Sequence, residues 1–71
     1  MCGGVSFPEL GRAAQRLNLD AVDMAESVLV RLDNGLGCGD ALRTTVRDAA
    51  IRWGIYDGVI KSRIDTGTIF N

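Results

Sequence analysis

Few side chains in this sequence could do chemistry. There is no histidine, and the two cysteines are Cys2 and Cys38. Acid–base catalysis would fall on a tuned carboxylate, lysine, tyrosine or cysteine. No carboxylate pair stands apart from helix-capping positions, so no catalytic residue is expected and the chain does not read as an enzyme. Two cysteines without histidine fall short of the four ligands that a structural zinc takes; neither a metal nor another cofactor is expected. In a cytosolic chain both thiols would stay reduced. A Cys2–Cys38 disulfide is the alternative if the chain is exported.

Two short patterns suggest chemistry but lack its context. Gly35-x-Gly37-x-Gly39 precedes a helical segment, and helix N-termini attract anions. No strand leads into it, no lysine follows, and Asp40 occupies the place a phosphate would take. It reads as an inter-helix connector. Met1-Cys2-Gly3-Gly4 is similar to the N-terminal cysteine nucleophile of class II glutamine amidotransferases, which are far longer; no other motif of theirs is found, and Cys2 reads as a thiol at a mobile end.

Charge and aromatic residues are more informative. Residues 1–40 hold Arg12, Arg16 and Arg31 against six acidic groups, giving −3; residues 41–71 hold Arg43, Arg47, Arg52, Lys61 and Arg63 against three, giving +2. A basic half can meet an acidic partner such as nucleic acid. The one tryptophan, Trp53, is expected first as a core anchor and second as an interface residue, for which tryptophan is enriched.

Four helices must position these groups. Ser6, with Glu9 three residues later, forms a capping box; Val5 and Leu10 suit a hydrophobic staple, and Pro8 fits the first turn. Leu10, Ala13, Ala14 and Leu17 share one face, predicting a helix over residues 7–18. Asp20 caps a second helix over residues 21–33, with Val22, Ala25, Leu29 and Leu32 facing the core, Met24 and Val28 widening that face, and Asn34-Gly35 ending it. Asp40 is predicted to cap a third, whose Leu42, Val46, Ala49, Ala50 and Trp53 recur at helical spacing before Gly54. Val59, Ile60 and Ile64 suggest a fourth over residues 57–64, followed by a turn at Asp65-Thr66-Gly67. Thr68–Phe70 is either a short strand or a tail that packs Phe70.

Segments echo one another. Ala13-Ala14-Gln15-Arg16-Leu17-Asn18-Leu19 matches Ala49-Ala50-Ile51-Arg52-Trp53-Gly54-Ile55 at an offset of 36 residues, and Arg31–Gly35 matches Arg63–Gly67 at 32. The difference is about one helical turn. Two helical hairpins in tandem are one possible architecture; chance likeness between amphipathic helices is the other.

The string Thr45-Val46-Arg47-Asp48-Ala49-Ala50-Ile51-Arg52-Trp53-Gly54-Ile55 resembles the opening of a helix-turn-helix DNA-binding segment of the excisionase/MerR-like type. Residues 44–70 carry the likeness. Ala50 is the small residue where the two helices cross, Gly54 supplies the turn, and Ile55 and Ile60 anchor the second helix. Gly67-Thr68-Ile69 resembles the start of the wing. The resemblance implies recognition positions at Tyr56, Asp57, Lys61 and Ser62. Lys61 would contact phosphate or a base edge, and Tyr56 a phosphate oxygen. Arg43, Arg47 and Arg52 would add backbone contacts.

Hydrophobic residues make up 46% of the chain and charged residues 24%, which suits a folded domain rather than disorder. The 71 residues read as a single all-α domain, a compact bundle of about four short helices with an extended C-terminal tail. So small a core makes a homodimer plausible. No apolar run approaches a membrane span, no signal peptide is visible, and a cytoplasmic location is expected. The leading expectation is a small DNA-binding transcriptional regulator. The alternative is a protein-binding adaptor or inhibitor acting through a homodimer or a partner protein, with Trp53 and Phe70 at the interface. The acidic N-terminal half and a pI near 5.1 favour that alternative.

Overall fold

The computed structural model describes residues 7–70. They form four α-helices, α1 (Phe7–Arg16), α2 (Ala21–Asp33), α3 (Cys38–Arg52) and α4 (Gly58–Thr66), and a closing 3-10 turn, Thr68–Phe70. The expected all-α bundle is the observed fold. The capping box at Ser6 and the staple from Val5 lie outside the described residues.

On α1 the face predicted from spacing is the buried one: Leu10, Ala13 and Ala14, with Leu17 just beyond the helix. The helix stops short of Asn18, which takes a left-handed conformation with φ 59°. Asn18 N–H donates to the Gln15 carbonyl at 3.1 Å, and Leu19 N–H donates to the Ala14 carbonyl at 2.7 Å. This paired closure satisfies carbonyls that the helix end would orphan. Asparagine is among the few side chains that tolerate this conformation.

The bounds of α2 are those predicted. Asp20 caps it by accepting from Val22 N–H at 2.8 Å. Its inward face is narrower than the predicted one. Met24 is buried and Ala25, Val28 and Leu32 are half-buried, whereas Val22 and Leu29 face solvent. The reason is position: α2 packs on α3 and α1 but does not touch α4, so it has one neighbouring layer and a narrow buried stripe.

The central helix is α3, which packs against α1, α2 and α4. Three neighbours explain its broad buried face, which adds Ala41 and Thr45 to the predicted Leu42, Val46, Ala49 and Ala50. Asp40 is not its cap. Gly37 is extended, with φ −64° and ψ 156°. Its carbonyl already accepts from Ala41 N–H at 2.7 Å, so the helix begins earlier and Asp40 falls in its first turn. There the charge still suits the helix dipole. At the other end Gly54 has φ 73°; its N–H donates to Ile51 and that of Ile55 to Ala50, both at 3.0 Å.

Asp57 lies just outside α4 and caps it, accepting from Val59 N–H at 3.0 Å and Ile60 N–H at 2.9 Å. The helix runs through the predicted turn to Thr66, whose hydroxyl donates to the Ser62 carbonyl at 2.8 Å. Residues 68–70 form no strand; Ile69 and Phe70 insert into the core instead. Arg16 Nη1 fastens this turn to α1 through the Ile69 carbonyl at 2.9 Å.

The sequence echo has a structural counterpart. Asn18 and Gly54 both end a helix in left-handed conformation, and both closures return to the alanine four residues earlier. Asp20 and Asp57 both cap the helix that follows. The two helices differ by four residues, 13 against 9, which accounts for the change in offset. The two halves are thus alike in their helix ends and caps, although the most extensive packing is between α2 and α3.

Candidate functional site

The residues proposed for DNA contact do not share one face. Arg43 and Arg52 are nine positions apart on α3, about 180° around the axis at 3.6 residues per turn. Arg43 is half-buried beside Asp40 at 3.8 Å, with its Nε enclosed and without a hydrogen-bond partner. Arg47 is half-buried and Arg52 exposed. On α4, Lys61 and Ser62 are exposed, while Tyr56 packs partly against the core. The Asp57 carboxylate occupies the N-terminal end of α4, where a phosphate would otherwise be attracted.

The interface pair is also divided. Phe70 is 7% exposed and belongs to the core. Trp53 is 62% exposed, which corrects its expected role as core anchor. Trp53 is the C-cap of α3: its N–H still donates to the Ala49 carbonyl at 3.0 Å, and the chain turns away at the next residue, the left-handed Gly54.

Trp53 stands at an open groove between α2 and α3. The helices run antiparallel through the short connection at residues 34–37, so the first turn of α2 meets the last turn of α3. Asp20 and Asp23 stand at that end with Arg52 and Trp53; Val30, Arg31 and Asp48 line the groove farther along. Arg31 Nη2 bonds Asp48 Oδ2 at 2.6 Å and ties the two helices together. Thr45 lies in the wall of the groove; it is 4% exposed, and its hydroxyl has no hydrogen-bond partner. Leaving such a group unsatisfied costs about 1–3 kcal/mol. The sequence pointed to no groove, because it arises from the pairing of two helices; the acidic residues along α2 were its only local signal.

Other features bear on chemistry. Cys38 is disulfide-bonded, not the reduced thiol expected; the other cysteine of the chain, Cys2, lies outside the described residues. Among the described residues no cluster of three or more histidine, cysteine or acidic side chains could hold a metal ion, and no helix is long and apolar enough to cross a membrane.

Compared with known proteins, the chain matches no family model, and nothing similar was found among curated proteins or solved structures.

Proposed function

We propose that this chain is a helical protein-binding module whose contact surface is the groove between α2 and α3. One observation carries the reading: the only tryptophan is 62% exposed on the groove wall. Tryptophan is the residue type most enriched at interface hot spots, and an indole so exposed adds little to the core. Val30, 59% exposed, extends the apolar wall. Val22 and Leu29, seven positions apart and so on one face of α2, add apolar surface outside the groove. The disulfide at Cys38 supports an oxidising compartment, where a binding module is more at home than a transcriptional regulator.

The test is site-specific photo-crosslinking in cells that make the protein. A photoreactive residue at Val30 is expected to yield a discrete protein adduct, lost when Trp53→Ala is added. No adduct, or one indifferent to Trp53→Ala, contradicts the reading.

A second reading, DNA binding, is favoured by Lys61 and Ser62 standing exposed on α4 beyond the left-handed turn at Gly54. Its test is duplex-DNA binding at two salt concentrations. Affinity should fall steeply with salt and vanish in Lys61→Glu; a folded sample that fails to bind at low salt removes this reading.

A further inference from the structure

The chemistry of the groove points to a particular kind of partner, on the premise that the groove binds protein. Asp20, Asp23, Glu26 and Asp48 line it against only Arg31 and Arg52. Arg31 is already paired with Asp48, so the remaining carboxylates outnumber the remaining guanidinium. Asp23 and Glu26 have no hydrogen-bond or salt-bridge partner among the described residues. The Thr45 hydroxyl, enclosed behind the groove wall, is equally unpartnered. Trp53 presents its indole at the same end as Asp20 and Asp23.

We infer that the groove receives an arginine-bearing segment of a partner protein. A guanidinium carries five N–H donors in a plane and no acceptor. The groove offers the complement: carboxylate oxygens on the α2 side and an aromatic face at its mouth. Arginine stacks on indole while donating at its edge, which a lysine ammonium does not do. Nucleic acid is the wrong partner for this surface, because its phosphates would meet the same carboxylates.

The probe is a short amphipathic helical peptide of leucine and arginine, with its leucine–glutamate and leucine–lysine counterparts as controls. Trp53, the only tryptophan, reports binding through its own fluorescence. The arginine peptide is expected to change its emission saturably, the lysine peptide to bind more weakly, and the glutamate peptide not to bind. The exposed pair Asp23→Asn with Glu26→Gln, which leaves the Asp20 cap intact, should weaken the arginine peptide roughly tenfold, as loss of close charge partners does. Equal affinity for arginine and glutamate peptides overturns the inference, as does an arginine peptide indifferent to the double substitution, or no response to any peptide. These failures are distinguishable from failure of the parent reading, because the Val30 adduct in cells needs no assumption about partner charge.

Discussion

Single residues hold this fold through two means, full burial and backbone closure. Among the described residues, Leu42, Val46 and Ile64 are the largest fully enclosed side chains. Ile64→Ala should lower unfolding free energy by roughly 2–5 kcal/mol, the usual range for a buried isoleucine. In a domain this small that is a large part of the total, and urea denaturation reads it directly. Gly54 needs a different test. Open space surrounds its Cα, so an added Cβ meets nothing, yet φ is +73°. Gly54→Ala should therefore cost about 1–2 kcal/mol from backbone conformation alone, and Asn18→Ala a similar amount, while Asn18→Gly should be tolerated. If both alanine variants keep the wild-type midpoint, the left-handed closures do not matter to stability. At this scale the sequence was legible where periodicity held, as at Leu10, Ala13, Ala14 and Leu17. It misled at Trp53, where the spacing that buries Ala49 and Ala50 predicted a buried ring and the indole stands exposed.

Helices are defined here by their ends. Asp57 accepts two backbone N–H groups and Asp20 one, and α4 is shorter than α2. Asp57→Ala should therefore destabilise more than Asp20→Ala, each within about 0.5–2 kcal/mol, the range for removing an N-cap. Hydrogen exchange should localise the first effect to the Val59 and Ile60 amides; uniform loss of protection would contradict the capping role. The same logic explains which ends were readable. Asp20, Gly35 and Gly54 are residue types with strong end preferences, and all three sit where expected. Asp40 has the same preference but lost to the extended backbone at Gly37, which a sequence does not display. The end of α4 was set too early because Asp65-Thr66-Gly67 reads as a turn, whereas only Gly67 leaves the helix.

For the whole molecule, the count and class of elements were legible and their arrangement was not. Hydrophobic spacing says that each helix has an inner face; it does not say how many neighbours that face meets. α3 meets three helices and buries a wide arc, while α2 does not touch α4 and leaves Val22 and Leu29 in water. The groove beside Trp53 follows from that asymmetry, since the flank of α2 next to it is not filled by another helix. The basic residues of α3 are divided by their spacing: Arg52 lines the groove, and Arg43, half a turn around the axis, lies beside Asp40. The account therefore rests on Trp53 serving contact rather than stability. Its most direct measurement is the Trp53→Ala variant, assayed both for urea stability and for the Val30 photo-adduct. The account predicts a midpoint within about 0.5 kcal/mol of wild type, as for ordinary surface substitutions, together with loss of the adduct. A destabilised protein that still forms the adduct would contradict it.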